Sequence, residues 1–276
     1  MSSPPTIRPC AVCGLFYPAD RRDVEREVNS LLNTVNLQNF QGTVRGLIVP
    51  HAGYQYSGFT AAHAFALLAG QSYRTVVIVS PSHREYFDGV TVFPGDGYAT
   101  PLGVVPLDLE LRSALERETP LVRASLEGHG DEHAIEVQLP FLQCALGTFS
   151  LLPIVMGDQR REYCLELGRA MGNILGEDVL LVASSDLSHY YPADIADQLD
   201  RAARDDVRSF DAERLMRDLE MKNVEACGGG PIVAAMVALR QRSVDTMHIL
   251  HHCNSGDVTG ERRSVVGYLS AAASVV

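Results

Sequence analysis

Residues 75–83 read Thr-Val-Val-Ile-Val-Ser-Pro-Ser-His. The run from Val76 to Val79 is too short for an ordinary helix, is β-branched throughout and is closed by Pro81. It reads as a strand buried on both faces. The pattern returns at Val44-Arg-Gly-Leu-Ile-Val49, at residues 150–155 and at Val179-Leu-Leu-Val-Ala183. Residues 21–32 (with Asp20 as a cap), 59–68, 107–117, 132–143, 162–175, 193–210, 212–220 and 231–240 read as helices. Residues 89–93 and 103–106 read as strands around the turn Pro94-Gly-Asp-Gly97, and 247–253 and 264–272 as two closing strands. Apolar strands separated by helices imply an α/β fold, its central sheet mostly parallel and flanked by helices. With no linker, repeat or low-complexity tract, the expectation is a single domain over residues 1–276.

Composition narrows the function. The chain is 46% apolar, with a formal charge of −11. Its acidic balance and lack of a basic cluster argue against nucleic acid as a partner. Lys222 is the sole lysine and follows Met221, so no Walker-type phosphate loop exists. No Gly-x-Ser-x-Gly elbow and no dinucleotide-binding glycine pattern appears. No apolar stretch reaches 18 residues, so no membrane span is expected, and the opening residues lack the apolar centre of a secretion signal. The six cysteines lack disulfide-scaffold spacing, and a cytoplasmic chain with reduced thiols is the default.

Ligands of open α/β sheets sit beyond the carboxyl ends of the strands. Val44–Val49 is followed by Pro50-His51, Thr75–Ser80 by Pro81-Ser82-His83, and Val179–Ala183 by Ser184-Ser-Asp186-Leu-Ser-His189. Cys253 stands at the end of the strand near 247–253. His51, His83 and Cys253 would form a soft three-ligand set suited to iron, copper or zinc, with a position left open. Its affinity should fall as pH drops through the histidine range near 6.5. Asp186 and His189 are three apart and form a candidate catalytic, proton-handling pair, Asp186 orienting His189. His133 and Glu136 share that spacing on an expected helix and could wall the cleft. Cys10 and Cys13 have zinc-ligand spacing with no completing pair, and read as incidental. Cys227-Gly-Gly-Gly-Pro231 is either an anion-binding turn or simply a tight one. His251 shares a strand face with Cys253 and is a further candidate ligand.

Pro50-His-Ala-Gly-Tyr54 with Tyr56-Ser-Gly58, Ser80-Pro-Ser-His83, Glu132-His-Ala-Ile-Glu-Val-Gln-Leu-Pro140, Ser184-Ser-Asp-Leu-Ser-His189 and the late Cys253 together resemble the MEMO family. Gly14-Leu-Phe-Tyr-Pro18 resembles its opening motif. The likeness runs in order from about Arg8 to Ala272. It implies a fold similar to the class III extradiol ring-cleaving dioxygenases, which are non-haem iron enzymes. It also implies metal ligands at His51, His83 and Cys253, with Asp186 and His189 lining the same pocket and Tyr54 beside His133 and Glu136 as substrate-pocket residues. The implied cofactor is an iron or copper ion, with zinc also suited. The implied partners are a small-molecule or peptide ligand and a radical-SAM protein. Three functions follow as expectations: metal-dependent redox chemistry on an unassigned substrate, ring cleavage of a catechol, or non-enzymatic binding of a peptide or phosphate in a vestigial cleft.

Overall fold

The aliphatic runs form the middle of a nine-stranded sheet in the computed structural model, which describes residues 6–36, 40 and 42–275. The first five residues, part of the segment read as carrying no secretion signal, lie outside these. The chain opens with β1 (Ile7–Arg8), α1 (Arg21–Thr34), β2 (Thr43–Val49), α2 (Tyr54–Phe65), β3 (Thr75–Pro81), β4 (Val90–Val92), β5 (Gly97–Thr100) and β6 (Gly103–Pro106). There follow α3 (Leu109–Glu118), β7 (Val122–Ala124), α4 (Leu139–Leu146), β8 (Ser150–Met156), α5 (Arg161–Ile174), β9 (Val179–Ser184) and β10 (His189–Tyr191). Then come α6 (Ala193–Ser209), α7 (Ala212–Glu220), α8 (Gly229–Gln241), β11 (Thr246–Asn254), α9 (Ser255–Thr259) and β12 (Val265–Val275).

The sheet order is β10-β12-β2-β9-β3-β8-β4-β7, with β11 along β12 on the side away from β2. The central strands β2, β9, β3 and β8 are parallel, whereas β12–β2, β11–β12, β10–β12 and β4–β8 are antiparallel. The expectation of a mostly parallel sheet therefore holds for the centre and for the edge pair β4–β7, and the whole sheet is mixed. For β11–β12 the reason is connection length. Only residues 255–264 separate β11 from β12, and a parallel crossover needs a dozen residues or more. Alternation along the central strands feeds two cores. Val77, Val79 and Leu181 pack with α3, α5 and α8, while Val76, Ile78 and Leu180 pack with α1, α2 and α4. Both faces of this single α/β domain are thus covered by helices. The site can only lie at the sheet's rim.

Two helix starts differ from expectation, and each difference shapes the site. α2 starts at Tyr54, with its first N–H donated to Phe16 O at 2.8 Å. The helix expected from residue 132 begins only at Leu139, after a 3₁₀ turn at Glu136–Gln138. Ahead of that turn the Glu132 carboxylate accepts the N–H groups of His133 and Ala134 at 2.9 and 3.0 Å. The buried Arg8 guanidinium takes the carbonyls of His129, Gly130 and Glu132. Backbone groups satisfied this way have no need of a helix.

Near the N-terminus, Cys10 and Cys13 form a disulfide, which corrects the expectation of reduced, incidental thiols. Among the described residues no helix is long and apolar enough to cross a membrane. Lys222 takes φ +58° in the exposed turn after α7, five residues ahead of Cys227.

Candidate metal centre

His51 follows β2 and is buried. Its ring orientation is set by the Ser184 hydroxyl. That oxygen donates its one hydrogen to Ala134 O at 2.8 Å and accepts Gln138 Nε2–H at 2.9 Å. It can only accept from His51 Nδ1, 3.0 Å away. Nδ1 therefore carries the proton and Nε2 is the bare nitrogen. Burial, then the neighbouring His83 ring, hold the His51 pKa well below its usual value, so the ring stays neutral.

His83 follows β3. Its Nδ1 lies 2.9 Å from Glu132 Oε1, and its backbone N–H donates to Glu132 Oε2 at 2.5 Å. Burial pushes the Glu132 carboxyl up, but the His83 hydrogen bonds and the charges of His83 and His133 outweigh this and hold it at about 2. An ionised acceptor at Nδ1 leaves His83 Nε2 as the ligand nitrogen, the second-sphere arrangement typical of metal-binding histidines. The His51 and His83 rings meet edge to face, with centroids 4.9 Å apart.

The third member of the set is Cys227. Its Sγ lies 3.1 Å from His51 Nε2, and donor atoms of His51, His83 and Cys227 all fall within 4.8 Å of one another. Gly228 makes this approach feasible: a Cβ there would stand 2.3 Å from Ser184 O and 2.8 Å from Ser185 Cβ. Cys227 N–H donates to Asp186 O at 3.2 Å, and Asp186 N–H to Cys227 Sγ at 3.3 Å. Burial, then Asp186, push the Cys227 thiol pKa up. Cys253, expected as the thiol ligand, is not in this set. It sits on edge strand β11 with β12 between it and β2, so two strand spacings of about 4.8 Å separate it laterally from β2. Its Sγ lies 3.1 Å from Thr60 Oγ1, which also meets His251 Nδ1 at 3.0 Å. His251 is likewise outside the set. The Gly-Gly-Gly run after Cys227 was the available signal: it marks a backbone pressed against a neighbour.

A cleft of about 640 Å³ opens over these groups, lined by His51, His83, His133, Asp186 and His189. Phe16, Tyr56 and Tyr190 add aromatic walls. Asp186 and His189 share the cleft but not the expected partnership. Asp186 Oδ1 accepts the His51 backbone N–H at 2.8 Å, whereas the carboxylate beside His189 is Glu225, 3.7 Å from Nδ1. Burial raises the Asp186 pKa, opposed by the His51 N–H. His133 reaches the cleft, its ring 4.7 Å from His83 and 5.3 Å from His51. Its buried Nδ1 has no hydrogen-bond partner, and burial and the His51 ring lower its pKa to about 3. Two expected pocket residues lie elsewhere. Glu136 is fully buried and binds Arg8, the Ala11 and Val12 N–H groups and Tyr17 OH, because it anchors the N-terminal segment. Tyr54 is buried in α2 and donates to Val137 O at 2.7 Å.

The residues present suit a soft transition-metal ion. Two bare imidazole nitrogens and a thiol converge with their outer partners in place, and a cation would displace the thiol proton. Comparison with known proteins bears on family and fold alone. A family model described as Memo-like protein matches residues 8–272. A MEMO1 family protein of Thermoplasma volcanium is 35% identical over 270 residues, spanning 97% of this chain and 98% of its own. One from Methanosarcina mazei is 37% identical over 266 residues, spanning 95% and 97%. Among solved structures, an uncharacterized protein of Escherichia coli K12 matches with a TM-score of 0.58 at 16% identity, covering 83% of this chain and 99% of that one, a likeness of fold alone. The ordered rim motifs and a match that spans nearly the whole chain agree: the protein belongs to the Memo-like family.

Proposed function

We propose that His51, His83 and Cys227 hold an iron or copper ion and that the chain performs redox chemistry on a small ligand in the cleft above it. One observation carries this reading. Both imidazoles are fixed in the same tautomer, by Ser184 and by Glu132, so that Nε2 of each carries no proton, and a donor atom of each stands within 4.8 Å of one thiol sulfur. Hydrogen bonding alone would not need two separately oriented rings and a thiol within 4.8 Å. Imidazole and thiolate favour iron, copper and zinc over magnesium or calcium, and of these iron and copper change oxidation state. When bound, such an ion supplies one-electron chemistry and an open coordination position.

The other cleft residues have separable tasks. Asp186 positions His51 through its backbone N–H, and its second oxygen stands 3.9 Å from His51 Nε2. His133, kept neutral by burial, lines the cleft with its ring while its Nδ1 stands 3.3 Å from Glu132 Oε1. His189, held by its N–H to Glu225 at 3.1 Å, supplies an imidazole for proton transfer in the cleft. Phe16 and Tyr56 give a planar ligand apolar surface.

The test is anaerobic titration with Cu(I) and Fe(II), read by metal analysis, on the natural protein and on Cys227→Ser and Cys253→Ser. Cys227→Ser should weaken binding by about 100-fold or more, since a ligand matters at least as much as its outer partners. Cys253→Ser should leave binding unchanged. The reverse pattern, or no metal bound by the natural protein, would overturn the reading.

A further inference from the structure

Cys10 and Cys13 pair across a sequence separation of only 3, and both are half-buried at the surface. So short a loop removes less entropy from the unfolded chain than a long-range bridge would, so global stability is a poor reason for it. Its local connections are more telling. Inside the bridged loop, Ala11 and Val12 donate their N–H groups to Glu136 at 2.7 and 3.0 Å. Val12 O then accepts from Leu15 and Phe16 at 3.0 and 2.9 Å. Phe16 is where this segment meets the cleft. Its ring edge packs on His133 at 4.8 Å, and its carbonyl takes the first N–H of α2, three residues after His51. Leu15, beside the bridge, is 80% exposed and gives a reductant an apolar foothold.

We propose that the Cys10–Cys13 disulfide is a redox site, cleaved by a protein dithiol, and that its cleavage loosens the wall that Phe16 builds over the cleft. In the first step a reductant thiolate attacks one of the two sulfurs, the S–S bond breaks and a mixed disulfide forms. The reductant's second thiol displaces it. Two electrons pass to the chain, protons end on both cysteine sulfurs, and the reductant leaves as a disulfide. The oxidised state holds Val12 and Phe16 in register; the reduced state frees the loop from its covalent constraint and leaves Glu136 as its anchor. As regulation of the metal cleft this rests on the function proposed above, but the redox step and the loop response do not.

The experiment is hydrogen exchange with mass spectrometry on the full chain, as purified and after reduction with thioredoxin or dithiothreitol. Reduction should speed exchange about tenfold at residues 14–17 and at Tyr54, whose N–H is held by Phe16, and leave β3 unchanged. A Cys10→Ser/Cys13→Ser chain should exchange at the fast rate under both conditions. Six free thiols in aerobically purified protein, rather than the four left by the bridge, or exchange that ignores reduction, would overturn the proposal. His83→Ala, which removes a metal ligand, should keep the response. A response lost in His83→Ala would place its cause at the metal ligands and overturn the assignment to the disulfide.

Discussion

Glu132 concentrates the most consequence in one side chain. It takes the N–H groups of His83, His133 and Ala134 and faces His83 Nδ1. Glu132→Gln keeps the shape but removes the charge that fixes the His83 tautomer. Metal affinity should fall about 10–100-fold, as measured by competition titration, with the fold intact by circular dichroism. The pH dependence also changes from the expectation based on ordinary histidines. Burial already keeps His51 neutral, so protons compete little for it near pH 6.5, whereas the Cys227 thiol is protonated at neutral pH and must release its proton to bind. Affinity should therefore rise about tenfold per pH unit from pH 6 to 9, one proton being lost per ion bound. A plateau above pH 7 would show that no thiol titrates on binding. His51 and His83 were legible in the sequence because each follows an apolar strand directly. The thiol was not: Cys227 reaches the site on a loop whose path depends on Gly228 contacting Ser184, and the glycine run that signals a close approach does not say which neighbour it meets.

Among elements, the strands built on aliphatic runs were read closely, since such runs closed by proline or polar residues leave few alternatives, whereas the short β1, β5, β7 and β10 were not read. The loop at 129–135 was misread because its stability comes from Arg8, more than a hundred residues away, and helical periodicity cannot register so distant a partner. That loop and the N-terminal segment share one buried ion pair, Arg8–Glu136 at 2.6 Å. Glu136→Gln leaves Arg8 buried and uncompensated, and should cost about 3–5 kcal/mol in urea unfolding. Strand β10 carries a different strain: Tyr190 takes φ +65°, a left-handed conformation unusual for a bulky residue. Tyr190→Gly should stabilise the backbone there by about 1 kcal/mol while removing an aromatic wall of the cleft. A ligand that stacks on Tyr190 would thus bind more weakly to a more stable protein.

For the molecule as a whole, two opposed titrations meet in the weakly acidic range. His129 is buried against Tyr98 OH at 2.6 Å, and burial followed by the Arg8 charge lowers its pKa to about 3. A depressed histidine contributes stability above its unfolded value near 6.5, lost as pH falls towards 3, up to about 3–5 kcal/mol. Burial raises Asp200 to about 6, despite the Ser188 N–H it accepts. Its contribution is full below its unfolded value and is lost as pH rises through about 6. His51 and His133 are depressed in the same way, so thermal unfolding should weaken as pH falls from 6.5 to 4 in the natural protein. Asp200→Asn should steepen that acid loss, and His129→Gln should make it shallower. The central sheet has both faces closed by helices, which is why only its rim is free to change chemistry. One small feature of that rim offers a practical handle. Lys222 is the only lysine and stands exposed in the turn that leads to Cys227. Apart from the chain's α-amino group, an amine-reactive fluorophore has a single side-chain address, so a dye placed there would report optically on the arrival of an ion at the sulfur five residues away.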